Sequence, residues 1–160
     1  MKKNLFVLLM AVPCYAFAQT ADEIAVKKVV MAESDARDDF EAWIDCYADS
    51  PQTSYVNTGS PGSAVYHKNF EEVKEAKKKS LAASPKSGFT LDSRDGWVIR
   101  VVGDMAWVRS TQHFTILATN TKLTAFDLKV LEKINGQWKI STAAWIGDFR
   151  NATPPMRPTY

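Results

Sequence analysis

The residues of this chain best suited to move a proton are His113 and Asp127. Imidazole titrates near neutrality, and a carboxylate beside it fixes its tautomer and stabilises its charged form. Both residues lie in segments of strand-like alternation, so register decides whether they meet. A two-residue turn at Thr119-Asn120 sets Gln112 opposite Asp127 and His113 opposite Phe126, whereas a three-residue turn brings His113 opposite Asp127. The competing account is a rim histidine and an aspartate that pairs with Lys129 or Arg109. Tyr55, Asn57 and Arg109 are the other polar candidates for a pocket. Trp43, Tyr47, Trp107, Trp138 and Trp145 offer aromatic walls for it, and each also suits a core.

Other chemistries lack their residues. The two histidines, His67 and His113, come with no CxxC, HExxH or carboxylate-rich calcium loop, so no metal is expected. Gly59-Ser60-Pro61-Gly62 has neither the lysine nor the strand-to-helix setting of a phosphate loop, and no cofactor is expected. Lys74, Lys77, Lys78 and Lys79 are interleaved with Glu71, Glu72 and Glu75, which makes a solvated helix face and not a nucleic-acid platform.

The elements that must position the candidates follow from spacing. Thr20 and Glu23 form a capping box ahead of Ile24, Val26, Val29 and Val30. The rhythm fails over Glu33 to Asp39, with a kink or break in a long helix near Asp35 to Asp39, and resumes with Phe40, Trp43, Ile44 and Tyr47, capped by Asp38 with Glu41. Thr53 to Thr58 is a short strand with Tyr55 and Asn57 on one face, and 59–63 is a loop. Asn69 and Glu72 open another helix that stops before Ser84-Pro85. From Phe89 the pattern is strands, with a turn at Gly103-Asp104 and a type I′ hairpin at Asn135-Gly136. That hairpin pairs Ile134 with Gln137, Leu131 with Ile140, Asp127 with Ala144 and Phe126 with Trp145. Large apolar groups fall on both of its faces, so one face covers a core or cavity and the other meets a helix, ligand or second subunit. The fold class is α+β, with helices on one side of an antiparallel sheet.

Residues 1–18 read as a secretory signal: Lys2 and Lys3, an apolar run from Leu5 to Val12, then Ala16-Phe17-Ala18 before Gln19. The run is too short to span a bilayer, so export without a membrane anchor is expected, to the periplasm in preference to the medium. Removing it takes two lysines from twenty basic residues and leaves eighteen against eighteen acids, which gives no attraction to nucleic acid. Residues 19–147 make one domain, and 148–160 form a proline-containing tail. Cys46, beside Trp43, Ile44 and Tyr47, suits a buried hydrophobe better than a nucleophile.

Three segments in order, DDFEAWIDCYAD, TSYVNTG and FDLKVLEKINGQWKIS, resemble the nuclear-transport-factor-two-like superfamily, and within it the SnoaL-like branch. The resemblance implies a cone of helices on a strongly curved sheet around a pocket, and a homodimer through the outer sheet surface. It also implies that ketosteroid-isomerase chemistry does not carry over. Met31 stands where that enzyme's tyrosine is expected, and the strand at Asn57 and Thr58 lacks its carboxylate base. The expected function is therefore an exported, non-catalytic domain that binds a small apolar or amphipathic molecule in a cone-shaped pocket. Two alternatives stand beside it. One is an isomerase-, cyclase- or dehydratase-like enzyme using His113 and Asp127, and the other is a structural homodimerisation or protein-interaction domain.

Overall fold

The structure is a computed structural model that describes residues 19–60 and 63–148. The expected signal segment and the tail beyond Asp148 lie outside the described residues. Three helices, α1 (Ala21–Asp35), α2 (Phe40–Asp45) and α3 (Phe70–Ala83), accompany six strands. The strands are β1 (Ser54–Ser60), β2 (Ser63–His67), β3 (Phe89–Val102), β4 (Met105–Ile116), β5 (Thr121–Ile134) and β6 (Gln137–Asp148).

Local chemistry sets the helix ends. Thr20 accepts from the Glu23 backbone while Glu23 reaches back to the Thr20 backbone, the reciprocal capping box that satisfies two orphan donors. Asp39, and not Asp38, caps α2 by accepting from the Ala42 N–H at 3.1 Å. Asp38 instead accepts from Ser87 N and Oγ, tying the helix break to the start of β3. Asn69 caps α3 as its spacing predicts. No helix among the described residues is long and apolar enough to cross a membrane.

The sheet corrects the expected cone. It is open, with order β2-β1-β6-β5-β4-β3, and mixed, because β1 runs parallel to β6. A strongly curved, all-antiparallel cone is not formed. The cause lies just before β1: Ala48 N donates to Ile140 O and Ile140 N donates to Cys46 O, so the chain leaving α2 is already laid parallel to β6. Within the 59–63 stretch, expected as a loop, Gly59 and Ser60 instead belong to β1 and Ser63 to β2, with Ser60 paired to Ser63.

Two register details decide which side chains meet. The Asn135-Gly136 turn forms with both residues at positive φ and pairs Ile134 with Gln137 and Leu131 with Ile140. The register then shifts between Val130 and Leu131, setting Asp127 opposite Trp145 in place of Ala144 and Phe126 opposite Ile146. The β4–β5 loop is longer than either expected turn, and pairs Ile116 with Thr121, Ser110 with Asp127 and His113 with Thr124.

The inner face carries two apolar clusters, the first of them packed on the helices. Val26 and Val30 of α1, Trp43 and Val73 join Ile99, Val108, Leu131, Trp138 and Ile140 in one. Phe114, Leu123 and Ala125, with Phe89, Ile116 and Trp145 against them, make the other. Burying each large side chain contributes about 1.5–3 kcal/mol, so the first cluster holds the helices on the sheet, while the second joins residues of β3 to β6 alone. Along β4 and β5 the residues between the clusters are Ser110, Gln112, Asp127 and Lys129, all buried and all polar.

Candidate functional site

Charge fills the gap between the two clusters. On β5, Asp127 and Lys129 share the inward parity of Leu123, Ala125 and Leu131, and both are buried. Their side chains are 1% and 3% exposed, and Arg94 from β3 is 2% exposed. Lys129 Nζ lies 2.7 Å from Asp127 Oδ1 and 3.5 Å from Glu33 Oε2, and Arg94 Nη1 lies 3.1 Å from Asp127 Oδ2. Glu33 comes from the last turns of α1, where it continues the buried stripe of Val26 and Val30. Trp43 Nε1 and the Tyr47 hydroxyl each donate to its Oε1 at 3.1 Å. Arg94 Nη2 donates to Ser34 Oγ at 2.6 Å, closing the network back onto α1.

Burial and partners set the protonation states here. Burial alone disfavours the Lys129 ammonium, but the Asp127 and Glu33 carboxylates outweigh it and hold its pKa above the ordinary lysine value. The Tyr47 phenol is pushed far up by burial and then by the Glu33 charge. Tyr55 is raised by the same two causes and by Asp127. Both phenols therefore stay neutral and keep their protons for donation. Tyr55 accepts from Asn57 Nδ2 at 3.5 Å.

The expected pocket residues divide by strand parity. Trp43, Tyr47, Tyr55, Asn57, Asp127 and Trp145 gather on the helix side, with Trp145 Nε1 donating to Gln112 Oε1 at 3.1 Å. Trp107, Arg109 and His113 alternate with the buried Ala106, Val108, Ser110 and Gln112, and so point to the opposite face. His113 and Asp127 do not form a pair. His113 Nε2 instead meets Asp95 Oδ2 at 3.0 Å, with the aspartate 69% exposed. A groove of about 340 Å³ opens beside it, lined by Asp92, Ser93, Lys122, Thr124 and Asp148 among others. This groove follows the row Ser93, His113, Thr124, Asp148 across β3 to β6, whereas the charged network occupies inward positions. An exposed ion pair of this kind contributes little energetically, so the buried network has the stronger claim to chemistry.

Glu33 and Arg94 were not among the expected site residues. A carboxylate at a helix-stripe position was a readable signal for Glu33. Arg94 offers none, because register shifts on both sides of it break the alternation of β3.

Cys46 is not part of this chemistry. Its thiol donates to Ala42 O at 3.4 Å, and burial, followed by the charges of Glu33 and Asp45, pushes its pKa up to about 11. Iodoacetamide at about pH 8 should leave it unlabelled in the folded protein and label it fully in denaturant. Complete labelling of the folded protein would contradict the burial.

No protein-family model matches the sequence, and no curated protein matches it. Solved structures match throughout most of the described chain. A nuclear-transport-factor-two-like protein of unknown function from Pseudomonas putida is 16% identical at a TM-score of 0.66, over 88% of this chain and 99% of that one. A ketosteroid isomerase-like protein from Erwinia carotovora atroseptica is 20% identical at a TM-score of 0.60, covering 81% and 98%. A candidate dehydratase of the nuclear-transport-factor-two-like family from Streptomyces avermitilis is 17% identical at a TM-score of 0.63, covering 78% and 94%. At identities this low the structural likeness shows a common fold and nothing beyond it. The expectation of a non-catalytic binder of apolar molecules in a cone-shaped pocket is overturned on two counts. The sheet is open, and ion pairs occupy the centre of the helix-facing layer.

Proposed function

We propose that this chain, which has the nuclear-transport-factor-two-like fold, is a proton-transfer enzyme of the isomerase or dehydratase kind, with Glu33 as the group that accepts and returns the proton. One observation carries the assignment. Asp127 has two cations against it, at 2.7 and 3.1 Å, whereas Glu33 has one, at 3.5 Å, so Glu33 is the carboxylate less neutralised by its surroundings. Structures described as isomerase-like and as a candidate dehydratase on the same fold support the reaction class. The three segments DDFEAWIDCYAD, TSYVNTG and FDLKVLEKINGQWKIS support a narrower placement in the SnoaL-like branch.

The chemistry is the following. Glu33 takes a proton from a carbon next to a carbonyl, and the electron pair left behind moves onto the carbonyl oxygen as an enolate. Buried cations and neutral phenols, already oriented, stabilise that charge without reorganising. Return of the proton to a different carbon isomerises the substrate. Its delivery to a β-hydroxyl, as the enolate collapses, expels water. In D₂O the protein should place deuterium on the α-carbon of a β,γ-unsaturated cyclic ketone or a β-hydroxy ketone, read by mass spectrometry. Exchange no faster than in buffer across such a panel would contradict the proposal.

Self-association through the outer sheet face is proposed with it. Trp107, Phe126 and Ile146 are 40%, 40% and 46% exposed there. Light scattering should find a dimer that Trp107→Glu converts to monomer, and a wild-type monomer at high concentration would refute it.

A further inference from the structure

The groove beside His113 has no part in the proton transfer proposed above. It measures about 340 Å³, at the small end of the range for small-molecule clefts, about 300–1,000 Å³. Four strands build it: Asp92 and Ser93 come from β3, Phe114 from β4, Lys122 and Leu123 from β5, and Asp148 from β6. Asp92 is already oriented. Its Oδ2 accepts from the Thr115 hydroxyl at 2.6 Å and its Oδ1 from the Thr90 hydroxyl at 3.1 Å. Those bonds, followed by the charges of Lys122 and His113, hold its carboxyl below the ordinary aspartate value. Lys122 lines the same groove, is exposed, and forms no ion pair among the described residues. The groove is therefore two-signed, with a fixed carboxylate and an ammonium facing one cavity.

We propose that this groove binds a small zwitterion, an α-amino acid with a short aliphatic side chain. Each sign in the lining answers one end of such a molecule. Its ammonium donates to the Asp92 carboxylate, while its carboxylate accepts from the Lys122 ammonium and the Ser93 hydroxyl. Phe114 and Leu123 give the side chain its apolar contact. Both are almost fully buried, so that contact is narrow and suits an aliphatic group better than a large ring. Simpler guests fit less well. An anion would face the carboxylates of Asp92 and Asp148, and an amine without a carboxylate would bring a second positive charge beside Lys122. A metal ion has no seat, because no three His, Cys, Asp or Glu side chains among the described residues are placed to ligate one.

The test uses the full chain and three probes on one carbon skeleton, followed by titration of backbone amide chemical shifts. Leucine carries both charges, 4-methylpentanoate lacks the ammonium, and isopentylamine lacks the carboxylate. Wild type should bind leucine at least about tenfold more tightly than either fragment, with the largest shifts at the residues that line the groove. Asp92→Asn should weaken leucine and isopentylamine by about fivefold, the scale of one solvent-exposed ion pair, and should not weaken 4-methylpentanoate. Lys122→Met should do the converse, weakening leucine and 4-methylpentanoate by about fivefold and sparing isopentylamine. Both side chains are exposed, so both variants should stay folded, with amide spectra that match wild type away from the groove. No saturable shift with leucine up to about 10 mM, leucine bound no more tightly than its fragments, or two variants that fail to separate the fragments by charge would each overturn the proposal.

Discussion

Replacing Lys129 with methionine is expected to destabilise the protein by about 3–5 kcal/mol, the usual result of removing one partner from a buried ionic network. Methionine nearly matches the lysine stem in volume, so the loss reports charge more than packing. Without the ammonium, Glu33 loses its cation, and Asp127 retains only the imperfectly aligned Arg94. A domain of this size should lose roughly 10–15 °C in Tm. Combining Lys129→Met with Glu33→Gln removes one of the stranded charges, and the double variant should recover more than about 1 kcal/mol relative to Lys129→Met alone. The sign of the pH dependence also follows. The folded pKa of Lys129 is raised, so its contribution is complete below the ordinary lysine value of 10.5 and fades only as pH climbs through the higher folded value. The gap between wild type and Lys129→Met should therefore stay constant from about pH 7 to about pH 10. A Lys129→Met protein within about 1 kcal/mol of wild type would mean the network is not closed to water.

Glu33→Gln should slow α-proton exchange by about 10²–10⁴-fold, the range for loss of a positioned general base. The amide oxygen can still accept from Trp43 and Tyr47, so the residue should keep its place between α1 and the sheet. What it cannot do is hold a proton reversibly. Its amide group also faces the Lys129 ammonium without a charge to offer, which should lower stability by about 1–3 kcal/mol. Activity and stability thus separate: the rate falls by orders of magnitude in a protein that remains folded. Asp127→Asn is the contrasting change. It removes the anion that both Lys129 and Arg94 face, and should cost stability first.

Much of the fold was readable from residue spacing, because its determinants are local. The capping boxes at Thr20 and Asn69 depend on residues three apart, and Asn135-Gly136 fixes the last hairpin through its own φ angles. The site was less legible because it depends on register, which bulges alter without leaving a local signature. One extra residue near Ser141 turns Trp145 to the side of Asp127, although an unbroken ladder would have put it with Phe126. The long β4–β5 loop has the same kind of effect, moving His113 out of line with Asp127. A subtler signal was available in the alternation itself. Asp127 and Lys129 occupy inward positions between Ala125 and Leu131, and Glu33 extends a valine stripe. Charges at core positions must be paired, and the alternation marked them before any partner was known. The parallel junction of β1 with β6 had no such mark, since it is fixed by the backbone bonds of Cys46 and Ala48 to Ile140.

The central claim is that proton transfer belongs to the buried network and not to the exposed His113–Asp95 pair. Solvent-deuterium incorporation into an uncharged ketone by wild type, Glu33→Gln and His113→Ala, measured side by side, tests it most directly. The account predicts incorporation by wild type and His113→Ala at similar rates, and a fall of about 10²–10⁴-fold in Glu33→Gln. Full activity in Glu33→Gln together with loss of exchange in His113→Ala would contradict it and move the chemistry to the other face of the sheet.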